Sequence, residues 1–332
     1  MNFAVFQNLL RSTFALFAVF IYGCIGETLT EKSGHLNLGI PGLLSLGSCG
    51  GVIGASIYMN SLADPQNPNA FLVIFIPLVF ALVFGALGGL FFSFFCVTLR
   101  CNQNVTGICF TSFGVGLTGY LIADKPVAKF NYLSIAGKYF QSMFFTGNLP
   151  AAKQYGFFVD VFCTQGFLTY FAIILALILA FVLNKTKVGL HLRAVGENPA
   201  AADAVGINVN RYRYVATTIG SAIAALGGLF FIMENSVGCD PALSVEAYGW
   251  LSVALVIFSM WKPGIAIIGS FIFALFYTLP GIAVGATGAM KEFYKMIPYV
   301  MTLVILIITS ILKIKGSKSP QGLGLSYFRE DR

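Results

Sequence analysis

The sequence predicts an all-α, polytopic membrane protein with about nine transmembrane helices, within a range of roughly eight to ten. Hydrophobic residues make up 57% of the 332 residues and charged residues only 10%, whereas a soluble domain carries about 25% charged residues. The charged residues also cluster, so that long uncharged stretches remain between them. Several of these stretches reach the ~20 apolar residues that one crossing of a bilayer needs.

Nine apolar stretches carry the predicted spans, and charged residues or turns separate them. The third stretch contains Pro77, which is expected to kink or shorten its helix because proline lacks a backbone N–H. The stretches are residues 12–26, 42–59, 70–99, 105–123, 161–183, 214–233, 247–261, 264–281 and 297–312.

The distribution of basic residues predicts the orientation of the chain, which we divide into a single membrane domain, residues 1–316, and a polar tail, residues 317–332. If the tail and the loop at 185–213 lie in the cytoplasm, most of the 20 Lys and Arg residues fall on the cytoplasmic side, as the positive-inside rule expects. The N-terminus is then outside, as is the long loop at 124–157. Lysines in that loop go against the rule, although long loops translocate largely regardless of charge.

Residues 34–42 are dense in glycine and proline and predict an interrupted helix. Irregular backbone at membrane depth is tolerated only where protein or a water-filled cavity surrounds it, and transporters use such breaks to present backbone groups to a substrate. The alternative is a close-packed helix face, because Gly47, Gly50, Gly51 and Gly54 follow at helical spacing. Both interpretations can hold together.

One short helix is predicted inside the loop at 185–213. Asn198 suits the N-cap, Pro199 the first helical position, and Gly206 a left-handed stop. About two turns of helix are marginal alone in water, so we expect a groove on a partner to hold this helix. An ordinary hairpin between two spans is the alternative.

Signatures of catalysis are absent from the sequence, which contains no G-x-x-x-x-G-K-[ST], H-E-x-x-H or G-x-S-x-G motif. We therefore expect no ATP hydrolysis, no metal site and no cofactor in this chain. His35 and His191 are expected to be surface residues in cytoplasmic turns. Acidic residues lie at the ends of spans, so we expect no buried carboxylate of the kind that ion-driven carriers use.

Residues 193–209 read R-A-V-G-E-N-P-A-A-A-D-A-V-G-I-N-V and resemble the cytoplasmic signature of ABC importer permeases in the ribose, branched-chain amino acid and nucleoside group. Residues 31–42, E-K-S-G-H-L-N-L-G-I-P-G, resemble the E-R-x-G-x-x-N-x-G-x-E-G stretch of the nucleoside branch. Residues 101–107, 116–118 and 298–303 are also similar to that branch, so the resemblance covers nearly the whole chain.

Two positions depart from the pattern of the nucleoside branch. Pro41 stands where that branch usually has glutamate, and Lys32 replaces its usual arginine. The departure at Pro41 leaves the substrate open between a nucleoside and a sugar or another small polar nutrient. From other classes, an ATP-independent secondary carrier or channel stays as an alternative, and a membrane-embedded enzyme is a more remote one.

The resemblance implies a type II-like importer permease, which is a transport subunit and no enzyme. Such permeases work in pairs, here with a different, homologous permease, on a cytoplasmic ABC ATPase that uses ATP and Mg. An extracytoplasmic substrate-binding protein delivers the nucleoside. The expected place is the bacterial cytoplasmic membrane, with the lipid bilayer as surroundings and no nucleic acid as partner.

The predicted site has two parts. The short helix and its flanks are expected to couple the permease to the ATPase, and this set comprises Arg193, Gly196, Glu197, Asn198, Pro199, Ala201 and Gly206. Polar groups and glycines at the helix break and on the span after Arg100 are expected to line the substrate pathway, and this set comprises Asn37, Gly39, Gly42, Gln103 and Thr111. The alternative for the polar members is that they hold helices together by hydrogen bonds.

Overall fold

The computed structural model describes residues 3–123, 132–141, 156–235, 241–282, 288–312 and 319–328, and regular structure in these residues is helical throughout. The helices are α1 Phe3–Glu31, α2 Ile40–Ser61, α3 Leu72–Ser93, α4 Gln103–Ala123, α5 Leu133–Gln141, α6 Phe157–Phe162, α7 Phe167–Lys185, α8 Lys187–Glu197, α9 Pro199–Ala204, α10 Val209–Phe230, α11 Pro241–Phe258, α12 Pro263–Ile282 and α13 Gly288–Leu312.

Nine of these helices contain 18 residues or more, and each predicted span falls mainly on one of them. Within the described residues, 6 helices are long and apolar enough to cross a membrane, and they are α1, α2, α3, α4, α7 and α10. The all-helical, polytopic architecture is therefore confirmed. The count of nine crossings and the outward N-terminus stay predictions.

The first helix lies at the centre of the bundle. α1 packs against α7, α10, α11 and α12, and its second half is almost wholly buried, from Leu16 to Glu31. Its 29 residues span about 44 Å at ~1.5 Å per residue, which exceeds the ~30 Å hydrocarbon core of a bilayer. The helix therefore extends beyond residues 12–26, the apolar stretch that predicted this span, and ends more than one turn later, at Glu31.

Glycines bring α2 into close contact with its neighbours, as one of the two interpretations of this stretch predicts. A Cβ at Gly47 would overlap the backbone of Ala225 on α10, and one at Gly50 would lie 2.7 Å from the carbonyl oxygen of Phe80 on α3. Larger side chains would push these helices apart, so close packing here depends on glycine.

Two spans differ in detail from their predicted bounds. Pro77 does not shorten α3, which runs from Leu72 to Ser93 and continues as a π-helical turn to Thr98. The stretch predicted at 161–183 is divided instead, because α6 ends at Phe162 and α7 begins at Phe167. The intervening sequence C-T-Q-G is polar and ends in a glycine that serves as the N-cap of α7.

The predicted outer loop is described only in part. Residues 132–141 contain α5, which buries Leu133, Ala136 and Phe140 in the main core. Residues 124–131 and 142–155 lie outside the described residues.

Candidate transport pathway and coupling site

The predicted interruption of the helix is confirmed. α1 ends at Glu31 and α2 begins at Ile40, so residues 32–39 form a non-helical connection, which we call the break. Gly34 has a φ of +90°, a conformation that glycine adopts at no steric cost. A Cβ there would lie 3.1 Å from Nη2 of Arg213 and 3.5 Å from Cα of Gly196. The break therefore lies directly beside α10 and the end of α8.

Two buried carboxylates at the end of α1 lie beside the break. The Glu27 Oε1 atom accepts a hydrogen bond from the backbone N–H of Asn37 at 2.9 Å, and Glu31 accepts one from the indole N–H of Trp261. Glu27 is 0% and Glu31 2% exposed. Both residues lie at the end of a span, as the sequence predicts, but they are buried, because the last turn of α1 is enclosed by the break and by the corner between α11 and α12.

Side chains of α4 hold the break from the other side. The Gln103 Oε1 atom accepts from the backbone N–H of Leu36 at 2.8 Å, and the Thr111 hydroxyl donates to the carbonyl oxygen of Leu38 at 2.9 Å. The two side chains thus share one face of α4, as their spacing predicts. Both bonds go to backbone groups that have no helical partner, so α4 fixes the conformation of the break.

The predicted glycines permit this contact. A Cβ at Gly42 would lie 2.6 Å from the carbonyl oxygen of Phe110 on α4, and one at Gly39 would lie 3.0 Å from the ring of Phe110. The Asn37 Oδ1 atom accepts from the backbone N–H of Gly39 at 2.9 Å and closes a turn before α2. All five predicted pathway residues therefore meet at one junction between the break and α4.

The polar members of this junction are buried rather than open to a channel. Asn37 is 0% exposed, Gln103 3% and Thr111 4%, and their hydrogen bonds agree with a role in holding helices together. The side-chain nitrogens of Asn37 and Gln103, however, have no hydrogen-bond partner among the described residues. Their role in a pathway stays a prediction.

The short capped helix has the bounds and caps that the sequence predicts. The Asn198 side chain accepts from the backbone N–H of Ala201 at 3.0 Å, Pro199 opens α9, and Gly206 follows it with a φ of +87°. The sequence analysis missed α8, which directly precedes it. The side chain of Thr186 caps α8 by accepting from the backbone N–H of Gly189 at 3.2 Å.

The predicted coupling residues divide into an exposed and a buried group. Glu197, Asn198, Ala201 and Gly206 are exposed, and Val205, which sequence reasoning missed, is 76% exposed. Together with Ala204, these residues form what we call the α9 surface.

The buried group joins the loop to the break. A Cβ at Gly196 would overlap the carbonyl oxygen of Lys32, so the end of α8 touches the break directly. Arg193 is partly buried, and its Nε donates to the carbonyl oxygen of Gly189 at 3.4 Å. The two parts of the predicted site are therefore neighbours in the structure.

Neither histidine is a free surface residue, so that expectation is wrong. His35 is 0% exposed, with its Nδ1 atom 3.1 Å from the hydroxyl of Thr217, and His191 is partly buried, with its Nδ1 atom 2.9 Å from the hydroxyl of Tyr212. Burial, together with the charge of Arg213, lowers the pKa of His35 to about 3. His35 is therefore neutral at physiological pH.

The C-terminal segment, residues 319–328, packs onto this region. The backbone N–H of Gly322 donates to the carbonyl oxygen of Gly196 at 2.9 Å, and that of Gly324 donates to the carbonyl oxygen of Gly34 at 3.1 Å. The polar sequence of this segment predicts a tail. The sequence does not predict these contacts, because both hydrogen bonds are made by backbone atoms.

An interrupted span, a polar junction within a helical bundle and a capped helix on an exposed loop together describe a multi-pass helical membrane protein. The chain belongs to the branched-chain amino acid transport system / permease component family, whose model matches residues 9–306. It is accordingly a permease subunit of an ABC importer, which confirms the resemblance, and members of this family are transport components.

Individual relatives match along most of the chain. A guanosine ABC transporter permease protein of Bacillus subtilis is 28% identical over 341 residues, covering 99% of this chain and 98% of the relative. A nucleoside ABC transporter permease protein of Lactococcus lactis is 28% identical over 315 residues, covering 93% of each chain. A Haloferax volcanii protein provisionally named as a glucose ABC transporter permease is 27% identical over 280 residues, covering 83% and 77%.

Proposed function

We propose that this chain conducts nucleosides through an ATP-driven importer of a bacterial cytoplasmic membrane. The observation that carries this proposal is the end-to-end similarity to permeases named for guanosine and nucleosides, which covers 99% and 93% of the chain. Membership of an ABC permease family also argues against the secondary carrier and the membrane enzyme that the sequence left open.

The importer would contain four kinds of subunit. A cytoplasmic ABC ATPase binds ATP and Mg, an extracytoplasmic protein captures the nucleoside, and this chain pairs with a homologous but different permease. A second nucleoside ABC transporter permease protein of Lactococcus lactis, 36% identical over 88 residues, supports such a pair, because it and the first lactococcal relative come from the same organism. The chain itself would bind no cofactor.

The junction between the break and α4 suits an uncharged substrate rich in hydrogen-bond acceptors. The side-chain amides of Asn37 and Gln103 each keep an NH₂ group without a partner among the described residues, and an amide nitrogen is a double donor. Nucleobase carbonyl and ring-nitrogen atoms are acceptors. We therefore assign substrate contact to these two amides in an opened state, with Thr111, Gly39 and Gly42 shaping the break beside them.

The α9 surface would receive the ATPase. It is exposed, it is small enough to enter a groove, and its apolar end at Val205 is 76% exposed. Gly196, the buried neighbour of α9, would pass its movement to the break through the contact with Lys32.

A sugar is the second candidate substrate, supported by the Haloferax relative and by Pro41. This proline is buried, and a Cβ at Gly249 on α11 would overlap it. Because residue 41 is a proline, this position offers no carboxylate, whereas the nucleoside branch usually has glutamate there.

Uptake of labelled guanosine separates the two candidates. Cells carrying the complete importer should take up guanosine in competition with other nucleosides but not with glucose, and deletion of this gene should abolish that uptake. Uptake of labelled glucose that requires the gene would assign the sugar instead.

A further inference from the structure

We propose that the C-terminal segment, residues 319–328, is a strap that fixes α9 relative to the break, so that movement of α9 reaches the transport pathway. The inference rests on the proposed function, since it takes α9 as the helix that couples the permease to the ATPase. It adds a positioning role for residues far from both parts of the predicted site in sequence.

Backbone groups of the strap bind the break and the loop within a few residues of each other. The N–H of Gly324 bonds to Gly34 in the break, and the N–H of Gly322 bonds to Gly196 at the end of α8. The preceding N–H, of Gln321, donates to Oε2 of Glu197 at 3.2 Å. The break and the end of α8 therefore cannot separate without loss of at least one of these bonds.

Side chains extend the strap to α9 and α10. The Tyr327 hydroxyl donates to Oδ2 of Asp203 on α9 at 2.8 Å, and Nη1 of Arg213 donates to the carbonyl oxygen of Leu325 at 3.1 Å. Arg213 is 2% exposed, and its Nε and Nη2 atoms have no partner among the described residues. A buried guanidinium requires acceptors, so the bond to Leu325 favours the bound position of the strap.

Packing holds the strap as well. Pro320 and Gly322 are buried, and Leu323 packs against the main core. At the far end, the guanidinium of Arg100 lies 4.4 Å from the centre of the Phe328 ring, a favourable cation–π geometry. The strap thus contacts the break, the loop, α10 and the corner between α3 and α4.

Gly322 offers a substitution that targets the strap alone. A Cβ at this position would lie 2.7 Å from the carbonyl oxygen of Gly196 and 3.3 Å from Cδ of Pro199, so Gly322→Ala pushes the strap away from α8 and α9. The α9 surface itself is unchanged. Tyr327→Phe is the milder variant, because it removes only the hydroxyl that bonds Asp203.

The test measures nucleoside transported per ATP hydrolysed by the complete importer in proteoliposomes. Loss of a hydrogen bond to a charged group corresponds to at least about a tenfold change in an equilibrium, so we expect Tyr327→Phe to lower this ratio about tenfold and Gly322→Ala by more. Both variants should still bind the ATPase and hydrolyse ATP. Gln321→Ala and Leu325→Ala are the matched controls, because both side chains are exposed and only their backbone atoms bond the loop and Arg213.

The outcomes separate the strap from the coupling role of α9. A parent-like transport ratio in both Gly322→Ala and Tyr327→Phe overturns the strap while leaving α9 as the coupling helix. If Gly322→Ala fails to assemble, the ratio of Tyr327→Phe decides. An Ala201→Trp variant that still binds the ATPase overturns the coupling role of α9 instead.

Discussion

At the junction of the break and α4, the amide oxygen and the amide nitrogen of Gln103 differ in their hydrogen bonding. The Oε1 atom of Gln103 holds the backbone of Leu36, whereas its nitrogen has no partner among the described residues. A buried polar group without a partner costs about 1–3 kcal/mol. Such a group therefore calls for a water molecule or a ligand.

Gln103 and Thr111 form a matched pair for testing substrate contact, because each bonds one backbone group of the break. Gln103→Ala removes the bond and the free NH₂ group, whereas Thr111→Val removes only the bond. We expect Gln103→Ala to lower guanosine uptake per assembled complex about tenfold, the equivalent of one hydrogen bond to the substrate. Thr111→Val should lower the amount of complex more than the uptake per complex.

Quantitative blotting of the complex together with initial rates of uptake provides both measurements. Equal uptake per complex in the two variants and the parent would assign both side chains to holding the break. The unpaired nitrogen of Gln103 would then be explained by a bound water molecule.

His35 predicts a dependence of stability on pH. Its pKa falls from the ordinary 6.5 to about 3 in the folded protein, because the ring is buried and lies near Arg213. Between these values the unfolded chain binds a proton that the folded chain does not, so the stability contributed by neutral His35 is full above pH 6.5 and is lost progressively down to about pH 3.

We expect His35→Asn to reduce this loss, because asparagine does not titrate and its amide can still bond the hydroxyl of Thr217. Thermal unfolding of the detergent-purified permease at pH 7.5 and at pH 5 measures the difference. An equal decrease in the melting temperature of parent and variant would contradict the assignment.

At the scale of elements, α9 is held by caps at both ends and presents an exposed surface. Ala201→Trp places a large side chain on that surface without entering the core, since Ala201 is exposed. We expect the variant to reach the membrane at the parent level but to lose co-purification of the ATPase, with loss of uptake. Gly196→Trp would not test docking, because Gly196 is buried against the break.

Gln66→Trp is the control for this prediction. Gln66 is exposed in the turn between α2 and α3, which the predicted orientation places on the outer side. The control should retain the ATPase. Co-purification of the ATPase with Ala201→Trp at the parent level would remove α9 from the docking site.

The elements that the sequence predicted well depend on residues close together in the chain. Asn198, Pro199 and Gly206 lie within ten residues, so caps and propensity suffice to place α9. Glu31 could not be placed in this way, because its partner Trp261 is 230 positions away in sequence. Tyr327 and Asp203 are likewise 124 positions apart, and only the fold brings them together.

At the scale of the whole molecule, the long loop predicted to face outward offers a place for the binding protein. Its described part contains Lys138, which is exposed on α5 while the opposite face of that helix is buried in the core. Lys138→Cys, in a background with Cys109, Cys163 and Cys239 replaced by serine, should react with an impermeant thiol reagent. We expect loaded binding protein to slow that reaction.

Unloaded binding protein and a cysteine at Gln66 serve as controls for this measurement. Unchanged labelling of Lys138→Cys at saturating binding protein would exclude this helix from the docking face. If Lys138→Cys reacts only after the membrane is permeabilised, this loop faces the cytoplasm and the predicted orientation of the chain is wrong.

Glycine contacts also indicate which helices move together. At Gly47, Gly50 and Gly85 a Cβ would collide with the backbone of a neighbouring helix, so α2, α3 and α10 have no layer of flexible side chains between them at these points. Packed backbones of this kind shift together rather than slide. We therefore expect these three helices to travel as one rigid body during a transport cycle.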